Sequence, residues 1–229
     1  MKNVSLYRKK KLVLQNLSFS ARAGEIIAIT GANGARKTTF VRALCGLHKE
    51  TAGSFLWNGN ALKPKERLKR AYMVMQDVNY QLFAESVEAE CSFGLKAVKA
   101  ESVEAALGAL HLSALRSRHP VSLSGGEAQR LAIARALLQD APVIVLDEAT
   151  AFADAENEYK IKKTFDVLLK DKTVIMIAHR LSSVVNADKI CVIDEGRVAE
   201  TGTHAELLKR KGLYAGMWEN FKKGIEWKV

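Results

Sequence analysis

Apolar residues recur in two rhythms along this chain, and the change of rhythm divides it. From Leu12 to Phe19 apolar and polar residues alternate, which predicts a half-buried strand. After Gly24, Glu25 to Thr30 predicts a second strand, carrying the apolar run Ile26-Ile27-Ala28-Ile29. A glycine-containing stretch follows, then a helix expected over Thr39 to Leu47. Gly53 to Gly59 reads as a short strand closed by an Asn58-Gly59 turn. Pro64 to Arg70 reads as a basic helical turn, and Ala71 to Met75 as a buried strand ending at Gln76.

The rhythm changes at Ser86. From there to about Leu138 the chain is rich in Ala, Leu, Glu and Lys, and Val103, Leu107 and Leu110 fall at helical spacing. This predicts a helical subdomain. The last third alternates again: strand Val143 to Leu146, helix Glu156 to Leu169, strand Thr173 to Ala178, a helix from Leu181, and strand Lys189 to Ile193. Strands alternating with helices predict an α/β fold with a mainly parallel sheet covered on both faces.

A chain of 229 residues with 48% hydrophobic and 26% charged residues has the composition of a soluble protein with a sizeable core. No apolar run approaches the roughly 18 residues of a membrane-spanning helix, and no signal peptide is expected at Met1 to Ser5. A membrane role is therefore expected to come through a partner. Cys45, Cys91 and Cys191 are far apart, which predicts buried free thiols in a reducing compartment. The net charge of +10 suits an anionic partner, whether nucleotide, nucleic acid or lipid surface. The basic clusters Arg8 to Lys11 and Lys63 to Arg70 are expected to be solvated faces.

Gly31-Ala32-Asn33-Gly34-Ala35-Arg36-Lys37-Thr38 lies between an apolar strand and a helix, the context of a phosphate-binding loop. Such a loop turns backbone N–H groups toward a polyphosphate, and the helix dipole adds positive potential. Lys37 would reach the β- and γ-phosphates, and the Thr38 hydroxyl would ligate magnesium. Val143 to Leu146 delivers Asp147 and Glu148 at a strand end, where open α/β sheets place their sites. Asp147 would hold magnesium through water, and Glu148 would polarise the attacking water. Ser124 is an expected N-cap, and Gly125-Gly126 let backbone N–H groups approach an anion.

Leu123-Ser124-Gly125-Gly126-Glu127-Ala128-Gln129-Arg130 resembles the signature motif of the ATP-binding cassette family. The resemblance extends over essentially the whole chain. Tyr7 stands where the family has its adenine-stacking aromatic, and Gln76 where it has the Q-loop glutamine, a further contact to nucleotide and magnesium. Asp147 and Glu148 match the Walker B pair, Asp154 the D-loop aspartate and His179 the switch histidine. The resemblance implies a P-loop NTPase (RecA-like) core with an N-terminal antiparallel β subdomain and an α-helical subdomain. Residues 1–84 and 141–229 would form the core and 85–140 the helical part.

It also implies an ATPase with ATP and Mg2+ as cofactors. Gly31 to Thr39, including Thr39 itself, would hold the phosphates, with Glu148, His179 and Lys37 catalytic. Two domains, identical or not, would stack so that each ATP lies between one phosphate loop and Ser124-Gly125-Gly126 of the other. An integral membrane transporter subunit would be moved by that closure, placing the chain peripherally on the cytoplasmic face of the membrane. No nucleic acid partner is implied.

The first half, through Gln76 to Phe83, looks like importer ATPases of energy-coupling-factor systems. The second, through Asp147 to Asp154 and Ala178 to Ser183, looks like exporter-type cassettes, including siderophore-related ones. A natural mosaic or an artificial chimera, changing over near the signature helix, would each account for both. Arg36 stands where the loop motif has its second glycine, and is expected to crowd the nucleotide and weaken its binding. Two alternatives remain open: a soluble cassette ATPase of translation or DNA repair, and a nucleotide-binding scaffold with weak turnover.

Overall fold

The computed structural model describes residues 1–49, 51–95, 97–147, 172–178 and 181–226. Its main sheet has six strands in the order β11-β10-β3-β9-β8-β7. These are β3 (Ile26–Thr30), β7 (Ala71–Val74), β8 (Val143–Asp147), β9 (Thr173–Ile177), β10 (Lys189–Asp194) and β11 (Arg197–Gly202). Five are parallel, and β11 joins β10 antiparallel through a tight turn.

Alternate residues of the parallel strands feed different cores, which is why the runs read as continuously apolar. Val145, Ile175, Ile27 and Ile29 face α1 (Lys37–Leu44) through Phe40 and Val41. Ile144, Leu146 and Val174 face the other way, onto Ala128, Ala132 and Ala136 of α5 (Gly125–Leu138). The small alanines let that helix approach the sheet closely. Ala28, Ile190 and Val192 are covered by Leu207 of α6 (His204–Arg210) and Tyr214 of α7 (Leu213–Glu226).

A separate antiparallel sheet, β2-β1-β4, is built from β1 (Lys2–Arg8), β2 (Lys11–Leu17) and β4 (Thr51–Ser54). It packs Val4, Leu6, Leu14 and Leu17 into the α1 core. Helices α3 (Val87–Ser92) and α4 (Ala100–Ala109) pack with α5 around Val103, Leu107, Leu110 and Leu131. Mixed α/β architecture, a mainly parallel sheet and an antiparallel β part all agree with the fold read from the sequence.

Several boundaries differ for local reasons. α1 starts at Lys37, two residues early, and ends at Leu44. Its end is a Schellman motif: Gly46 N–H donates to Ala43 O at 3.1 Å and Leu47 N–H to Arg42 O at 2.8 Å. Gly46 has φ 81, the left-handed conformation that motif requires. The Gly53–Gly59 strand is two: β4 pairs with β1, and β5 (Leu56–Trp57) turns back on β6 (Asn60–Ala61). Asn58 and Gly59 take φ 48 and 84, the two positive values of a type I′ hairpin turn.

The helix expected from Leu181 is a single 3-10 turn, Leu181–Val184, pinning Leu181 and Val184 into the core before β10. α2 (Pro64–Arg70) forms as expected. Its basic run is not wholly solvated, because Arg67 is buried. All three cysteines are buried free thiols, and burial pushes each up to about 12. The helix expected over Glu156 to Leu169 lies outside the described residues.

Candidate functional site

Gly31 leaves the C-terminal end of β3 with φ 143, and a Cβ there would lie 2.0 Å from Ile193 O of β10. Only glycine lets the loop leave the sheet so closely against its neighbour. The loop then turns, with Ala35 N–H donating to Ala32 O at 3.1 Å. Ala32, Asn33 and Gly34 are exposed, and a Cβ on Gly34 would meet no atom within 4 Å. There is open space on the side where an anion would approach.

Arg36 is the residue before α1 and sits at φ 71, ψ 27, in the left-handed region. The glycine of the motif therefore has a conformational reason, and Arg36 meets it under strain of about 1–2 kcal/mol. No side chain caps α1, and no acidic residue stands in its first turn. The helix's leading N–H groups thus keep their anion-attracting character.

Lys37 is buried and folds back over the loop: Nζ donates to Gly31 O at 2.9 Å and Ala32 O at 3.1 Å. Thr38, one residue on, donates from Oγ1 to Asp147 Oδ1 at 3.2 Å. Asp147 is 1% exposed, so a carboxylate, a hydroxyl and an ammonium converge at the C-terminal ends of β3 and β8. Thr39 continues into α1 half-buried. Hard oxygen donors of this kind suit Mg2+. Among the described residues no group of three His, Cys, Asp or Glu could cage a metal.

Ser124 caps α5 as expected. Its hydroxyl accepts from Glu127 N–H at 3.3 Å, and Glu127 Oε2 accepts from Ser124 N–H at 2.7 Å. That backbone hydrogen bond holds the Glu127 carboxyl below the usual range. A Cβ on Gly125 would meet no atom within 4 Å, so the helix start is open. Within one copy, α1 and α5 cover opposite faces of the sheet, so the structure does not bring Ser124 onto the face that carries α1. Tyr7, the penultimate residue of β1, is half-buried, and its carbonyl contacts His48 Nε2 at 2.7 Å just after α1. Gln76 is exposed after β7. Glu148, Asp154 and His179 lie outside the described residues.

The sequence reading missed a buried network behind Gln76. Glu90 of α3 is fully buried and its Oε2 accepts from Phe83 and Ala84 N–H, both at 2.7 Å. Its Oε1 pairs with Arg135 Nη1 of α5. Arg135 also donates to Gln81 O at 2.6 Å and to the Tyr72 hydroxyl at 2.5 Å. Gln81 in turn accepts from Met75 N–H at 2.8 Å and donates to Met73 O at 2.7 Å. The segment from Met75 to Ala84 is thereby tied to β7 and to two helices. Arg135, set among the apolar residues of the stretch Leu131 to Leu138, was the one visible signal.

A phosphate loop at a strand end, joined to a buried carboxylate that ends β8 two strands away in the same sheet, defines a P-loop nucleotide-binding protein. The ABC transporter family profile matches residues 14–151, and the chain belongs to that family. It is 42% identical over 202 residues to a putative ABC transporter ATP-binding protein of Treponema denticola, covering 87% of this chain and 41% of that one. It is 39% identical to the ATP-dependent lipid A-core flippase of Cupriavidus pinatubonensis, over 89% of this chain and 37% of that one. A mycobactin import ATP-binding/permease protein, IrtA of Mycolicibacterium thermoresistibile, is 37% identical over 93% of this chain and 25% of its own. A bacterial Atm1-family ABC exporter solved with ATP bound superposes with TM-score 0.87 at 34% identity, over 96% of this chain and 41% of that one. The chain thus spans about two fifths or less of the proteins it matches.

Proposed function

We propose that this chain is the ATP-binding and hydrolysing unit of an ABC membrane transporter. The observation that carries the reading is the Thr38–Asp147 hydrogen bond, which places a loop hydroxyl and a buried carboxylate beside Lys37. In this reading residues 1–84 and 141–229 form the catalytic core and 85–140 the helical subdomain.

Gly31 to Thr39 hold the triphosphate, with backbone N–H groups and Lys37 exchanging the loop carbonyls for phosphate oxygens. Thr38 and Asp147 would hold magnesium, directly and through water, and the ion would neutralise charge on the phosphates when bound. Tyr7 stacks on the adenine and Gln76 reaches the metal-bearing end. Glu148 orients the attacking water and His179 contacts the γ-phosphate, while Asp154 belongs to the nucleotide-binding set. Positioning and charge stabilisation supply most of the acceleration.

Because α1 and α5 cover opposite faces of one sheet, Ser124-Gly125-Gly126 serve the nucleotide held by a second copy or a related domain. Among the described residues no helix is long and apolar enough to cross a membrane. The membrane-spanning part comes from a partner or from sequence outside this chain, and Gln76 to Phe83, anchored on Glu90 and Arg135, transmits closure to it. The site faces the cytoplasm in this reading, where ATP is available.

ATPase activity tests the proposal. Turnover should fall by orders of magnitude in Lys37→Ala and in Glu148→Gln, with Glu148→Gln retaining ATP and dimerising on it. Turnover indistinguishable from the unsubstituted chain in both would reject hydrolysis. The left-handed Arg36 favours slow turnover, a scaffold-like behaviour that Arg36→Gly should relieve.

A further inference from the structure

A second concave feature lies at the other end of the sheet. It is a cleft of about 410 Å³ between the antiparallel sheet, the β5–β6 hairpin and the starts of β7, β8 and β9. Val143 begins β8 and Asp147 ends it. About 13 Å of strand therefore separates the cleft's mouth from the Thr38–Asp147 pair. Its volume is in the range of small-molecule sites, about 300–1,000 Å³.

The lining has an unusual charge balance. Lys2, Arg22, Arg67 and Arg70 contribute cations, and no Asp or Glu lines it among the described residues. The walls between them are apolar, with Phe19, Phe55 and Ile175. Glu25 approaches Arg22 from outside the cleft and is paired with Lys189.

Arg67 is the singular member. It is 5% exposed, and its guanidinium lies 3.6 Å from the centre of the Phe55 ring. Nη1 makes one long hydrogen bond, to Leu62 O at 3.4 Å. Nε and Nη2 are buried and have no hydrogen-bond partner among the described residues. Burying an unpaired cation is costly, and an aromatic face offsets part of that cost at most. Nε and Nη2 form one edge of the guanidinium, the fork that matches the two oxygens of a carboxylate.

We propose that this cleft binds a small organic carboxylate with an apolar body. The carboxylate pairs with the guanidinium of Arg67, which lines the cleft, and the body lies against Phe19, Phe55 and Ile175. Lys2, Arg22 and Arg70 draw the anion in. The site is independent of the nucleotide reading.

Isothermal titration of the full chain with phenylbutyrate and with its neutral analogue phenylbutanol tests this. Phenylbutyrate should bind saturably and quench Trp57, which lines the cleft, with the quench lost in Trp57→Phe. Arg67→Met should weaken phenylbutyrate about 10- to 100-fold, the range for losing a hydrogen bond to a charged group. Phenylbutanol should bind weakly and equally to both proteins. Arg70→Glu changes an exposed residue and should lower phenylbutyrate affinity several-fold. No saturable binding, equal binding of acid and alcohol, or unchanged affinity in Arg67→Met overturns the proposal. If circular dichroism shows that Arg67→Met does not fold, Arg70→Glu decides, and unchanged affinity there overturns it.

Discussion

Thr38 Oγ1 lies 3.2 Å from Asp147 Oδ1, across 109 residues of chain. This bond joins the first turn of α1 to the last residue of β8 and fixes two oxygen donors at one strand-end level. Removing either donor should leave the sheet intact while depriving a magnesium nucleotide of its anchor. Thr38→Val and Asp147→Asn are expected to bind ATP about 10–100-fold more weakly in magnesium, the usual cost of disturbing a metal's supporting ligands. In EDTA the difference should shrink. Titration with a fluorescent ATP analogue, with and without magnesium, checks this.

Arg36 holds the left-handed conformation at φ 71 that its position in the loop demands. Replacing it with glycine removes about 1–2 kcal/mol of strain. The freer unfolded chain returns about 0.4–1 kcal/mol of that. The net change should be a stabilisation of between about 0 and about 1.6 kcal/mol. Nucleotide affinity should rise more clearly, because a side chain leaves the loop's exposed side. Equal ATP affinities for the chain and Arg36→Gly would show that the side chain does not crowd the nucleotide.

Glu90 and Arg135 are both buried and hold each other and the Phe83–Ala84 backbone. Arg135→Met strands a buried carboxylate and should cost about 3–5 kcal/mol of stability, seen as a lower urea midpoint. Glu90→Gln keeps an acceptor for the two N–H groups and should cost less. Both should release the Met75–Ala84 segment, raising its amide hydrogen exchange above that of β8.

The thiols of Cys45, Cys91 and Cys191 are pushed up from 9.0 to about 12 by burial. A thiol harder to ionise when folded leaves the unfolded chain to lose its proton first. Stability is therefore unaffected below about pH 9 and falls as pH rises from there toward about 12. Urea midpoints should drop as pH rises from about 9 toward about 12, and less steeply in Cys→Ala variants. Native protein at about pH 8 should react slowly with iodoacetamide at all three positions.

Local chemistry was legible wherever it was spelled out by neighbours in the chain. Ser124 ahead of a helical run announces an N-cap, and Asn58-Gly59 announces a hairpin turn. The strand–loop–helix order around Gly31 to Thr38 announces the phosphate loop, and the parallel sheet follows from apolar runs set between helices. What the sequence left unsaid involves groups distant along the chain or equivocal in context. Arg67 reads as one more cation in a basic helix, and its burial against Phe55 appears only when α2 docks. Glu90 and Arg135 are 45 residues apart, and nothing near either names the other.

By itself, then, the sequence determined the elements and the identity of the phosphate loop, because capping, turn preference and hydrophobic periodicity act over a few residues. Tertiary structure alone decided that Thr38 meets Asp147, that α1 and α5 take opposite faces, and that a cationic cleft opens beneath Arg67. Those outcomes depend on how strands register and helices pack. Such packing sums many weak apolar contacts over the whole chain, and no local motif encodes it.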